Sequence, residues 1–379
     1  MRSNGNMMLA TLLGVAGVLA GSTILASAQD GPAGLTKPAV FAPFDPKAPA
    51  CTPPPGLNKV LAFAQDNERE FMQGVDRGLA AAAKDRGLEY RRALANNDAA
   101  KGVEQVQLFL ASKIGGLVAA PVDPASMSRS LQELIWSGAY VGTIVPPPAT
   151  SLLNAPQYET GKVLAEAAAA YIKDKLGGKA NVVILSHDSM EFLAPRFAAM
   201  RDTFKAMPGV TIVADISPNP VNKEGGFATM STILQAHPDV VLGADTVVLG
   251  ALAALEAAGK ARPDQFLGGI DGEPEAVAAI KKGGGPYKAS ISLASPLFAY
   301  AMGQHAADWL EGKSIPQAMD ILPVALTSDY MAQYEADVAD PAAVYKDPKR
   351  RDIYLRMYGN ICYDTRDQYV NFPWSSEAK

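Results

Sequence analysis

The chain has 379 residues, a formal net charge of −5, 48% hydrophobic residues and only two Cys and three His. That length exceeds one typical hydrophobic core, so two lobes are expected. The mild acidity, without a basic block, argues against nucleic acid or an anionic membrane as partner, and the scattered Cys and His offer no zinc spacing, so neither metal nor other cofactor is expected.

Arg2, an apolar or small stretch over 7–24 and the run Ala26-Ser27-Ala28 read as a secretory signal peptide over 1–28. The rival is an uncleaved membrane anchor, disfavoured by Gly14, Gly17, Gly21 and the small-residue site. Residues 29–57 form a Pro-rich leader ending in Thr52-Pro53-Pro54-Pro55-Gly56, which cannot build a helix interior. Cys51 and Cys362 lie in opposite tails. In an oxidising compartment they form one disulfide tying the tails together; the alternative is two free thiols.

From residue 59 short apolar runs alternate with longer amphipathic segments. Strands are predicted over 60–64, 89–94, 116–120 and 140–145, with helices over 70–86, 99–112 and 124–137. A break rich in Pro and Asn over 146–156 precedes a restart with a helix over 158–175. Strands follow over 181–185, 210–215, 240–243, 266–270 and 289–291, and helices over 198–207, 225–236, 247–258, 274–281 and 297–310. Apolar runs joined by crossover helices mean parallel sheets covered on both faces, so the body is an α/β fold of two consecutive doubly wound units. Residues 336–379 show weak periodicity and read as an appended arm. Open α/β sheets bind ligands beyond the carboxyl ends of their strands, which points to a crevice between two facing sets of strand ends.

No G-x-S-x-G, H-E-x-x-H, Walker-type or G-x-G-x-x-G motif is present. Ser186, His187, Asp188 and Ser189 are the only hint of a hydrolase, and adjacent side chains point apart. His305, between Gln304 and Asp308 on a predicted helix, is expected at the surface.

Four stretches occur in an informative order: Phe71-Met72 with Gly74 to Gly87; Ala236-His237-Pro238-Asp239; Leu249 to Lys260; and Gly269-Ile270-Asp271-Gly272. Over about 59–326 the chain resembles the ribose-binding-protein type of periplasmic sugar receptor. Regulators related to the lac repressor share that fold, but carry a DNA-binding segment where this chain has an export signal. The resemblance implies a type I periplasmic-binding-protein fold of two doubly wound parallel-sheet lobes joined by a three-segment hinge. The crossings are expected near Asn154, near Ser292 and just before a strand at Ile321. The lobes would take 58–154 plus 293–318 and 155–292 plus 319–335, with the arm over 336–379. It further implies a non-enzymatic, monomeric periplasmic component of an ABC importer. That component captures a sugar, sugar alcohol or related metabolite by hinge closure and delivers it to an inner-membrane permease. One rival is a sensor that presents the solute to a chemoreceptor or sensor kinase; the other is the secreted hydrolase.

The resemblance also implies ligand-binding positions. Gln65, Asp66, Arg69 and Phe71 lie after the first strand, where the family places polar groups for hydroxyls and an aromatic for the ring. Arg69 stands where the family often has Asn. Asp271 is the aspartate that accepts two hydroxyl hydrogen bonds. Asp245 resembles an Asn-Asp pair with Ala244 in place of the Asn, and would serve equally as a helix cap. Arg196 is preferred over Arg201 as the cleft arginine. Asn222 falls near a second stacking aromatic, and Ser292 near a hinge Gln. Val145-Pro146 replaces an Asp-Arg pair, so a less polar or differently shaped solute than an aldopentose is expected.

Overall fold

The computed structural model describes residues 34–144, 148–187 and 190–377. The segment expected to be a signal peptide, Val145 to Pro147, Asp188 and Ser189 lie outside the described residues. From Gly34 onward these residues cluster as one unit.

The first half builds strands β1 (Asn58–Gln65), β2 (Glu89–Leu94), β3 (Ile114–Ala119), β4 (Tyr140–Ile144) and β5 (Ser151–Asn154), with helices α1 (Glu70–Asp85), α2 (Ala99–Ala111) and α3 (Pro124–Ser137) as crossovers. Local chemistry sets the helix ends. Asp98 accepts from the Lys101 N–H to start α2, and Asp123 accepts from Ala125 ahead of Pro124 to start α3. Gly138, at φ 97°, closes α3 in the left-handed region.

The second half repeats the design with α4 (Gln157–Lys175), β6 (Ala180–Leu185), α5 (Ala194–Lys205), β7 (Val210–Ile216), α6 (Lys223–Ile233), β8 (Val240–Leu242), α7 (Asp245–Ala257), β9 (Phe266–Ile270), α8 (Pro274–Lys282) and β10 (Tyr287–Ser292). Next come α9 (Ser295–Leu310), β11 (Ala318–Ile321), β12 (Val324–Leu326), α10 (Met331–Ala339), α11 (Pro341–Lys346), α12 (Pro348–Tyr354) and β13 (Leu355–Tyr358).

Two sheets result, in the orders β13-β11-β5-β4-β3-β1-β2 and β12-β10-β9-β8-β6-β7. Every pairing is parallel except β11 with β13 and β10 with β12. β1, β3, β4, β6, β8, β9 and β10 are apolar and buried almost throughout, as sheets covered on both faces require. The two sheets define two α/β lobes.

Several elements differ from the sequence expectation. Within the break expected over 146–156, residues 151–154 form β5, whose identity as a strand comes from its neighbours β4 and β11. The third passage between sheets falls after Ile321, because β11 pairs with β5 of the first sheet and only β12 joins the second. The arm is not loosely appended: it forms α10 to α12, and β13 becomes the outer strand of the first sheet. The leader runs beside it, with Leu35 bridging Val370 and Pro43 bridging Tyr358. Cys51 and Cys362 are bonded as a disulfide across 311 residues of sequence.

His305 is not at the surface: it is 1% exposed. The arm covers the outer face of α9, and Tyr345 of α11 packs edge-on to the His305 ring at 6.3 Å. A helix that would otherwise face water is thereby buried nearly all round.

Candidate ligand-binding site

The carboxyl ends of β1, β9 and β10 bring together most of the residues in question. Asp271 follows β9 with φ at 117° and Gly272 follows at 67°. Positive φ is costly for a side-chain-bearing residue, and such strain concentrates at functional positions. Here two hydrogen bonds to β10 hold the turn: Asp271 N–H donates to the Ile291 carbonyl at 2.8 Å, and Gly272 N–H donates to Ser290 Oγ at 3.0 Å.

Asp271 is exposed to solvent, and among the described residues its carboxylate accepts no hydrogen bond. Although part of the residue meets solvent, desolvation by the protein around its carboxyl is the leading cause that pushes it up to about 6, against the opposing charges of Arg196 and Arg69 and with the help of Asp245. Arg69 comes from the first lobe and Asp271 from the second, so their interaction spans the cleft between the lobes.

Arg196 lies at the start of α5 and is 7% exposed. Its Nε donates to Gln157 Oε1 at 3.0 Å, and among the described residues its other nitrogens are not engaged. Burial lowers its pKa while Asp271 raises it. Its position depends on Gly161 of α4, where an added Cβ would collide with the Arg196 carbonyl. Arg201, one turn further on, instead pairs with Asp215 through Nη2 at 3.0 Å.

The loop after β1 is internally bonded. Gln65, 1% exposed, donates to the Asn67 carbonyl at 2.5 Å. Asp66 accepts from Asn67 N–H at 2.7 Å and from Arg69 Nη2 at 3.4 Å. Gln65 and Asp66 therefore shape the loop, while the Arg69 side chain stays 60% exposed beside the cleft. Phe71, half-buried in the first turn of α1, packs 5.8 Å from Phe298.

Three expected ligand-binding side chains are engaged by other parts of the protein. Asp245 is fully buried: Tyr287 Oη and Ser290 Oγ donate to it at 2.6 Å each, and Glu273 N–H at 2.8 Å. It anchors the Asp271 turn from beneath rather than facing solvent. Asp245→Ala would leave those three donors unpaired, and is expected to cost about 2–4 kcal/mol in denaturant unfolding. Asn222 caps α6, accepting from Gly225 N–H at 2.9 Å. Ser292, 4% exposed, accepts from Ala294 N–H at 3.0 Å and hydrogen bonds Tyr334 of α10 at 2.7 Å.

Sequence reasoning missed Glu273, Gln157 and Tyr334. Burial, together with the carboxylates of Asp245, Asp271 and Glu275, raises Glu273 to about 7, while Lys223 opposes. The "Asp271-Gly272-Glu273" run signalled that third acid; nothing local marked Gln157 or Tyr334.

A recess of about 500 Å³ lies elsewhere, where leader and arm meet beside Phe44, Lys313 and Arg351. It is not at the strand ends, and Lys313 and Arg351 are already paired with Asp308 and Asp352. Among the described residues no His, Cys, Asp and Glu cluster could hold a metal, and no helix is long and apolar enough to cross a membrane.

The profile of the periplasmic binding protein domain matches residues 60–314. The chain belongs to that family. Its members are solute-binding proteins rather than enzymes, which removes the hydrolase reading. The chain is 27% identical over 259 residues to the ribose import binding protein of Bacillus subtilis, covering 66% of this chain and 80% of that one. Among solved structures, a periplasmic ribose ABC transporter protein from Conexibacter woesei superposes with a TM-score of 0.64 at 20% identity, covering 75% of this chain and 96% of the other. An ABC transporter solute binding protein from Bacillus halodurans with bound myo-inositol gives 0.60 at 21%, covering 74% and 98%. These place the fold as type I, with two parallel-sheet α/β lobes.

Proposed function

We propose that this protein captures a small polyhydroxylated solute, a sugar or sugar alcohol, between its two lobes in the periplasm and delivers it to the permease of an ABC importer. The observation that carries the reading is Asp271, a carboxylate without a hydrogen-bond donor among the described residues, within the electrostatic reach of Arg196 of its own lobe and Arg69 of the other. Such an acceptor with two cationic donors in reach suits vicinal hydroxyls, and the half-buried Phe71 at the start of α1 suits the C–H face of a ring. The relatives that bind ribose and myo-inositol support the same class. Export through the segment over 1–28 and a monomeric state belong to this proposal.

The free protein samples open and closed forms, and a solute touching both lobes favours the closed one. The direct check is thermal unfolding against aldoses, ketoses, polyols, aldonic acids and lactones. A solute at 100 times its Kd stabilises the native state by about 2.7 kcal/mol, so a shift of a few °C with one chemical subset is expected. No shift with any sugar or polyol would remove the carbohydrate assignment and leave the fold standing.

A further inference from the structure

The lobes are joined by more than the three crossings a type I hinge needs. The chain passes between sheets after β5, after β10 and after β11, and then returns a fourth time, from β12 of the second sheet to β13 of the first. We propose that the C-terminal arm is an inter-lobe clasp that restrains the ligand-free lobes to the arrangement seen in this structure, with Tyr334 and Glu335 as positioning residues.

Helix α10 lies against α9 and α11 on the first lobe's side, yet its side chains hold the second lobe. Tyr334 Oη is 2.7 Å from Ser292 Oγ at the end of β10, and Glu335 pairs with Lys281 of α8 at 2.7 Å. Asp337, fully buried in the same helix, anchors it to the arm: it accepts from Tyr354 at 2.7 Å and from Gln333 at 2.8 Å, and pairs with Arg350.

A second tether comes from the last described residues. Val370 pairs with Ala149, and Trp374 packs 5.3 Å from Tyr358 while its Nε1 donates to the Ala39 carbonyl, which fixes the tail to the first lobe. Beyond it, Glu377 reaches the second lobe. Its two carboxylate oxygens accept from Tyr158 N–H at 3.1 Å and Glu159 N–H at 2.8 Å. Helix α4 has Pro156 at its cap position and no side-chain cap of its own, so Glu377 supplies the missing acceptor from 218 residues away.

Hinge rotation displaces atoms in proportion to their distance from the crossings. Ser292 and Tyr158 sit beside crossings and move least. Lys281 lies near the far end of α8, so a change of lobe angle stretches the exposed Lys281–Glu335 pair most. Screening by salt weakens such a pair, which makes the restraint salt-sensitive.

The test is the inter-lobe distance in the ligand-free protein, read by single-molecule energy transfer between dyes at Lys101→Cys on α2 and Lys175→Cys on α4. Tyr334→Phe with Glu335→Gln should raise several-fold the share of molecules outside the wild-type distance peak, and Glu377→Gln, at a contact beside a crossing, should raise it less. The swap Lys281→Glu with Glu335→Lys should restore the wild-type distribution. In the unmutated clasp, raising NaCl from 0.05 to 1 M should shift the distribution the same way, which keeps the question decidable if a variant misfolds. An unchanged distribution in the variants and across salt overturns the clasp. The clasp presupposes the hinged lobes but not the sugar: absence of any sugar binding would sink the proposed solute class while the distance measurement still decides the clasp.

Discussion

Asp271→Asn is expected to lower affinity for the captured sugar or polyol by roughly two to four orders of magnitude, through the loss of two charge-assisted hydrogen bonds worth about 1.5–3 kcal/mol each. Asn keeps the size of the side chain and tolerates positive φ better than most residues, so the turn at φ 117° should survive and the loss should appear in binding rather than in folding. Isothermal titration with the best solute of the panel measures it, and affinity within threefold of wild type would remove Asp271 from the site.

The pH dependence carries the same assignment further. Hydroxyl donors bond the ionised carboxylate more strongly than the acid, and the Asp271 carboxyl is pushed up to about 6. Affinity should therefore fall as pH drops through 6, and Asp271→Asn should flatten that profile. Ligand-free stability should move the other way at first. Asp271 at about 6 and Glu273 at about 7 stand above their unfolded values near 4, so their stabilising contribution is full below about 4 and is lost as pH rises through 6 and 7. His305 behaves oppositely: burial pulls it down to about 4, so its contribution is present above about 6.5 and is lost as pH falls through 4. From pH 8 to about 6.5 the ligand-free Tm should rise on acidification; below that, His305 works against the two acids.

Breaking the disulfide is the second large effect. Cys51 and Cys362 close a loop of 311 residues, and constraining an unfolded chain of that span is worth about 2–5 kcal/mol. The bond sits where leader and arm are stitched to the first lobe. Cys51 N–H donates to the Gly312 carbonyl at 2.6 Å, Thr52 N–H to Asp364 at 2.8 Å, and Ile315 bridges Ile361. The double variant Cys51→Ser with Cys362→Ser, or wild type under reductant, should unfold at lower denaturant. The m-value should rise as the unfolded chain expands. An unchanged midpoint would mean that the neighbouring backbone bonds alone hold the tails.

The sequence by itself determined the α/β class and the two doubly wound units, because alternation of buried strands with amphipathic helices is a local pattern. It also put Asp271 at a strand end before Gly272, while the ligand role of that aspartate came from the family resemblance. Tertiary structure decided the rest. Residues 151–154 are too few, after a proline-rich stretch, to declare a strand before β4 and β11 flank them. The arm looked aperiodic because its helices and β13 bury themselves against α9 and β11, and local patterning says which face is buried, never against what. The same limit applies in the site. Asp245 and Asp271 are both acids at strand ends, but only the spatial arrival of Tyr287, Ser290 and the Glu273 N–H consumes one carboxylate and leaves the other open. Tyr334 reaches Ser292 across 42 residues of sequence, and Glu377 reaches the start of α4 across 218; contacts of that separation exist only once the chain has folded.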